Sequence, residues 1–302
     1  MSQKMLYILN PGDNISPFDV SMAADAGFNH IIPFPHVQPD NVTAMVQDAI
    51  FARPPKRFND TCMFIGGRDV HLAADMFENA KKAMVGPFQV GVFADPNGAY
   101  TTSASVLALV QKALEDTHKT CLKGKTVAIF GTGPVGLCTA ILAAKEGALT
   151  RLCALTADDD KNVAKRFCSR YDVSVDWVTA LTSEEKITAL SNVDVVICVA
   201  KAGVRILEQK ELDAISNLLV VADTNAVPPS GVAGVDMQNL NSSLPYANGV
   251  FSGIGALAIG NIKSQTELGL FKHVQESETA ALIDFPEAYK FALSLVKELA
   301  TK

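Results

Sequence analysis

Short runs of β-branched and apolar residues alternate with longer segments whose apolar positions recur every three or four residues, and this rhythm persists through most of the chain. Such alternation predicts βαβ units and parallel sheets, because parallel neighbours need a long crossover connection that is usually helical. In the first third the predicted strands are residues 4–9, 30–34, 62–65 and 88–94, with helices over 40–51 and 70–84 between them. A long helix is predicted over 101–115, with Thr101 or Thr102 as its cap. The Lys123-Gly124-Lys125 turn then opens a second series of strands at 126–130, 151–155, 173–178, 194–199 and 218–222, with a helix over 183–190. Past Asn225 the pattern gives way to Pro, Gly, Asn and Ser until about Ser252, which reads as loop, and helices over 263–276 and 286–299 close the chain.

At 302 residues the chain exceeds the size at which one hydrophobic core usually keeps growing, so two domains are expected. The expected architecture is α/β: a Rossmann-type parallel-sheet nucleotide domain over 113–259, inserted into a second α/β domain formed by 1–112 and 260–302, with a ligand cleft between them.

Composition narrows the function classes. Hydrophobic residues at 48% against 19% charged describe a packed globular chain rather than a disordered one. The net charge of -6 argues against nucleic acid as a partner, since phosphate backbones are bound by Lys and Arg. No run of about 18 apolar residues predicts a membrane span, and the opening MSQKMLYILNPGD does not read as a secretory signal. The six cysteines lack a CxxC pair and the five histidines lack HxH or HxxxH spacing, so reducing cytoplasm and no metal are expected.

The strongest local signal is Gly131-Thr132-Gly133-Pro134-Val135-Gly136, a GxGxxG run directly after the apolar strand 126–130 and before a helical segment. In that context Gly131 serves the tight turn, Gly133 lets backbone approach a pyrophosphate, and Gly136 lets helix and strand pack closely, while helix N-terminal amides face the anion. Thr156, Ala200 and Asn225, near the ends of later strands, complete the expected cofactor-binding set. Around 154–156 there is neither an acid to hold ribose hydroxyls nor an Arg to select a 2′-phosphate, so NADP or NAD is expected as cosubstrate. Asp158, Asp159 and Asp160 read first as a solvated, helix-capping run and second as a ribose clamp. A GxGxxA match at Gly253-Ile254-Gly255-Ala256-Leu257-Ala258 lacks the βαβ context and reads as a close-packed loop.

Several blocks together are more specific than any fingerprint. They are Ser16–Val20, Asp40-Asn41-Val42, Phe64-Ile65-Gly66-Gly67, Phe93–Gly98 with Thr101-Thr102, the Gly131 turn, Asp223–Pro229 followed by Gly231–Asp236, and Gly253–Lys263. Across nearly its whole length the chain resembles the methylene-tetrahydromethanopterin dehydrogenases of methylotrophic bacteria, and its last two blocks are closer to the branch accepting NAD or NADP. The resemblance implies hydride transfer from methylene- to methenyl-tetrahydromethanopterin in formaldehyde oxidation, a pterin domain beside the nucleotide domain, and a homo-oligomer. It maps two active-site residues onto Asp19 and Lys263.

For such a reaction the methylene carbon loses hydride between two amine nitrogens, whose lone pairs stabilise the cation, so no His or Cys catalytic set is required. A carboxylate near that carbon favours the developing charge and an ammonium opposes it, which assigns Asp19 to charge stabilisation or pterin binding and Lys263 to anchoring elsewhere. The competing readings are a helix N-cap for Asp19 and a solvated lysine on an amphipathic helix for Lys263. Asp95, Asn97 and Thr102 sit near a strand end and are taken as substrate-binding, although Pro96-Asn97-Gly98 is also a turn signal. Methylene-tetrahydrofolate dehydrogenation is the alternative, disfavoured by the lack of a YxxxK pair in the first domain. A non-catalytic dinucleotide-sensing protein is the alternative from another class.

Overall fold

The computed structural model describes residues 3–299, which divide into two compact units. The first comprises the chain up to Thr101 with Ser264–Phe291, and the second comprises Thr102–Lys263 with the chain from Ala292. The divisions at 101/102 and 263/264, like the expected domain limits at 112/113 and 259/260, fall within the long helices Ala99–His118 and Ala256–Glu276, and the division at 291/292 falls within the helix Phe285–Leu299.

In the first unit the elements run β1 (Met5–Leu9), α1 (Pro17–Asp25), β2 (His30–Phe34), α2 (Pro39–Phe51), β3 (Thr61–Ile65), α3 (Val70–Lys82), β4 (Gly91–Ala94) and the start of α4 (Ala99–His118). All neighbours are parallel in the order β12-β4-β3-β1-β2, where β12 is Leu282–Ile283 from the returning chain. Leu9 pairs with Ile65 and Ile65 with Ala94, so three strands end side by side and their loops open on one edge. Every residue of β3 and β4 is buried, as sheets covered on both faces require. Phe271, from the long helix α9 (Ala256–Glu276), packs against Phe64 and Phe93 with ring centroids 5.1 Å apart in each case.

The second unit contains β5 (Thr126–Phe130), α5 (Pro134–Lys145), β6 (Leu149–Ala154), α6 (Lys161–Arg170), β7 (Asp176–Thr179), α7 (Ser183–Ala189), β8 (Val195–Cys198), α8 (Gln209–Asp213), β9 (Val220–Asp223), β10 (Leu240–Tyr246) and β11 (Gly249–Ile254). Its order is β10-β11-β9-β8-β5-β6-β7. Six strands are parallel in the doubly wound 3-2-1-4-5-6 arrangement, and β10 is added antiparallel at the edge. A core around Phe130, Val196, Val221 and Phe251 lies against this sheet. The last helix, α10 (Phe285–Leu299), belongs partly to each unit.

Four expectations are corrected. The stretch after Asn225 is not all loop: β10 and β11 form a hairpin whose first strand alternates between exposed and half-buried residues, as an edge strand does. Gly253–Ala258 is not a loop but the end of β11, a one-residue turn and the start of α9, which begins at Ala256 rather than Lys263. Its packing is close, since a Cβ on Gly255 would collide with the Asp236 carbonyl. In addition, α4 starts at Ala99, and its first amides are satisfied by Asp95 rather than by Thr101 or Thr102. The strand expected from residue 88 starts only at Gly91, because Phe88 instead bridges back to Val85 across Gly86-Pro87.

Among the described residues no helix is long and apolar enough to cross a membrane, and no group of three or more His, Cys, Asp or Glu residues could hold a metal ion. The six cysteines are unpaired. Burial pushes the thiols of Cys62, Cys153 and Cys198 up to about 12, so at neutral pH they are protonated as well as shielded. Iodoacetamide mapped by mass spectrometry should therefore modify the exposed Cys121 first, and these three only after denaturation; rapid labelling of any of them in the native protein would contradict this packing.

Candidate active site

In the second unit the site is built from the turn after the central strand. Gly131 has φ +118°, a left-handed conformation that glycine alone enters without strain. A Cβ there would also press on the Val199 carbonyl and the Ala200 amide at the end of β8. On Gly136 a Cβ would collide with the Gly131 carbonyl, so this glycine is needed for the helix to lie against its own turn. Gly133 differs from both: its φ is -69° and nothing lies within 4 Å of a Cβ built on it. Gly133 is the N-cap of α5, which starts with Pro134 and has no side-chain cap. An uncapped helix N-terminus behind an open glycine fits the pyrophosphate of a dinucleotide, by amide donors and helix dipole together. Thr132 and Val135 flank it half-buried, and Ala200 is half-buried across the switch point between β5 and β8.

Thr156 lies exposed beyond β6, with its amide donated to Asp159 Oδ2 at 3.1 Å. Asn225 is buried and held by three hydrogen bonds: Oδ1 accepts from the amides of Gly203 (3.0 Å) and Val227 (2.9 Å), and Nδ2 donates to the Pro229 carbonyl at 2.7 Å. Its side chain therefore ties the loops after β8 and β9 together. Asp223 anchors the same loop, accepting from the amides of Asn225 and Val232 at 3.0 Å each. Burial holds its carboxyl above the usual range, and these amides, with that of Gly231, partly offset the shift.

In the first unit a cavity of about 470 Å³ opens where the loops after β1 and β3 diverge. This is the topological switch point of that sheet, where open α/β sheets bind ligands. Asp19 and Asn97 both line the cavity, with Asn10, Ser16, Gly67 and Arg68. Asp19 is only 6% exposed and stands in the first turn of α1. It is not the helix cap: Ser16 is, its Oγ accepting from the Asp19 amide at 3.3 Å. Asn10 shapes the floor by donating from Nδ2 to the carbonyls of Gly12 and Asn14. Asn97 reaches the rim through a left-handed backbone, φ +53°. Asp95 lies beneath the surface at 1% exposure, its oxygens taken by the Tyr100 and Thr101 amides and the Thr101 hydroxyl, so it orders the start of α4.

The structure thus brings Asp19 and Asn97 to one cavity. Thr102 and Lys263, both half-buried, belong to the other unit, on α4 and α9. Asn10, Gly67 and Arg68 escape sequence reasoning as site residues; the available signal is their place directly after strands β1 and β3.

A glycine turn at the switch point of a doubly wound sheet and a polar cavity at that of a second parallel sheet define the class of two-unit, dinucleotide-binding α/β proteins. Comparison with known proteins narrows this. A family model described as methylene-tetrahydromethanopterin dehydrogenase, N-terminal, matches residues 17–97. The NAD(P)-dependent methylenetetrahydromethanopterin dehydrogenase of Methylorubrum extorquens is 41% identical over 98% of this chain and 99% of its own. The bifunctional protein MdtA of the same organism is 34% identical over 99% of this chain and 100% of its own. The chain belongs to the methylene-tetrahydromethanopterin dehydrogenase family. Among solved structures, an NAD-dependent malic enzyme of Thermotoga maritima is similar with TM-score 0.53 and 14% identity, covering 96% of this chain and 84% of that one. Shikimate 5-dehydrogenase of Listeria monocytogenes is similar with TM-score 0.51 and 12% identity, covering 99% and 96%. These two likenesses concern the fold alone.

Proposed function

We propose that this chain is an NAD(P)-dependent oxidoreductase that takes hydride from methylene-tetrahydromethanopterin and releases the methenyl form, within one-carbon metabolism of the formaldehyde-oxidising type. The observation that carries the reading is the buried Asp19 in the switch-point cavity of the first unit, inside the segment that the family model matches. The name of the 41% identical relative supports it.

In this reading the first unit holds the pterin and the second the nucleotide, with Gly131–Gly136 at the pyrophosphate, Ala200 beside it and Thr156 near the adenosine ribose. The bound nucleotide supplies the hydride acceptor. Asp19 places negative charge near the carbon that becomes cationic, while Asn97 and Arg68 offer hydrogen bonds to pterin edge atoms. Lys263 and Thr102 hold ligand oxygens away from the reacting carbon, where an ammonium would oppose the charge. The chemistry needs no proton transfer, so catalysis rests on orientation and exclusion of water. The protein acts in the cytoplasm as a homo-oligomer.

The test is absorbance at 340 nm with methylene-tetrahydromethanopterin and methylene-tetrahydrofolate, each paired with NAD and with NADP. Reduced nucleotide formed fastest with the methanopterin carrier is expected. A higher kcat/KM with the folate carrier would move the assignment to the folate reaction, and no reduction with either carrier would remove the enzyme reading.

A further inference from the structure

The acidic run after β6 resolves into three environments. Asp160 caps α6, its Oδ1 accepting from the amides of Asn162 at 2.7 Å and Val163 at 3.3 Å. Asp158 is exposed. Asp159 folds back, and its Oδ2 accepts from the amides of Leu155 at 3.0 Å and Thr156 at 3.1 Å. Those are the first two amides beyond Ala154, the last residue of β6. The strand end thereby acquires a half-buried carboxylate that the linear order of residues does not place there. Both amides bond Oδ2, so Oδ1 retains its acceptor capacity.

That strand end adjoins the glycine turn. β5 and β6 pair with Phe130 opposite Cys153, and the Gly131 amide donates to the Cys153 carbonyl at 3.2 Å. In a sheet wound 3-2-1-4-5-6, a dinucleotide seated on the turn after the first strand lays its adenosine ribose over the end of the second. Here β5 is the first strand and β6 the second. We propose that Asp159 is the specificity-determining residue of the nucleotide site, accepting from the ribose hydroxyls of NAD and repelling the 2′-phosphate of NADP, so that the enzyme prefers NAD. The inference rests on the dinucleotide reading of the Gly131 turn given above. A phosphate monoester carries nearly two negative charges at neutral pH, and a carboxylate fixed by two backbone amides cannot swing away without surrendering both bonds.

The test measures dissociation constants of NAD⁺ and NADP⁺ by calorimetry for the wild type, Asp159→Asn and Asp158→Asn. In Asp159→Asn the new side-chain amide oxygen can still accept from Leu155 and Thr156, so the charge is removed while the turn is kept; Asp159→Ser serves as a second neutral acceptor should the first variant fail to fold. The wild type should bind NAD⁺ about tenfold more tightly than NADP⁺, and Asp159→Asn should shift the ratio by about tenfold toward NADP⁺. Asp158→Asn should leave the ratio as it is. An unchanged ratio in folded Asp159 variants that bind both nucleotides, an equal shift in Asp158→Asn, or a wild-type preference for NADP⁺ would overturn the proposal. Failure of the wild type to bind either nucleotide would instead overturn the dinucleotide reading on which it rests.

Discussion

Gly133→Val should abolish measurable nucleotide binding while the protein stays folded, with affinity for NAD and NADP falling by on the order of a hundredfold or more. The open space around a Cβ at this position and the extended backbone, φ -69° and ψ -176°, mean that the Cβ of valine meets no protein atom within 4 Å and that its backbone conformation is an allowed one. The fold loses only the advantage of glycine over valine as an N-cap, about 1 kcal/mol or less. What valine does fill is the space in front of the uncapped α5 amides, which is the proposed pyrophosphate site. Gly136→Ala provides the contrast, because one methyl group meets the Gly131 carbonyl and forces the helix off its turn. Overpacking of this kind costs about 1–3 kcal/mol, so this variant should lower Tm clearly. Calorimetric titration of both variants beside thermal melts separates the two effects. A stable Gly133→Val protein with unchanged affinity would show that the pyrophosphate does not sit on this turn.

The parts of the fold legible in the sequence are those whose determinants are contiguous. Strands β2 and β5 match their predicted limits residue for residue, since each is a short, largely apolar run that starts after a polar residue, Asn29 or Lys125, and stops before a chain-breaking one, Pro35 or Gly131. The strand, glycine turn and helix at 126–145 are equally readable, because Gly131 and Gly136 answer to contacts within that same short stretch and its immediate neighbour β8. The β10–β11 hairpin is not, although Asn248-Gly249 is a strong hairpin signal. Leu240–Tyr246 is an edge strand that buries little, so apolar periodicity has nothing to report there. The same limit applies to the sites. Asp159 reaches the end of β6 only because the chain doubles back, and Asn225 spends its amide on loops after two different strands. Asn10 and Arg68 meet in one cavity through the parallel pairing of β1 with β3, more than fifty residues apart in the chain. Sequence reading offers Asp19 as the N-cap of α1, whereas Ser16 takes that place and leaves Asp19 inside the first turn, on the cavity wall.

Asp19→Asn should lower kcat/KM for the methylene-pterin by on the order of a hundredfold to a thousandfold, while nucleotide affinity stays at the wild-type value. Asparagine keeps the size of the side chain and one oxygen, and the Ser16 cap engages the Asp19 backbone amide, so the course of α1 is preserved while the acidic group, only 6% exposed in the cavity lining, is removed. In the proposed role, a carboxylate so placed is poorly screened and faces a substrate that is neutral at the reacting carbon before hydride leaves and cationic afterwards. Its loss should therefore fall mainly on kcat rather than KM. Asp19→Glu restores the charge at a shifted position and should recover part of the rate. Steady-state kinetics of both variants, with nucleotide titrations in parallel, test the role: wild-type kcat in Asp19→Asn would reduce the residue to a structural wall of the cavity, and a loss confined to KM would make it a pterin-binding group without influence on the hydride step.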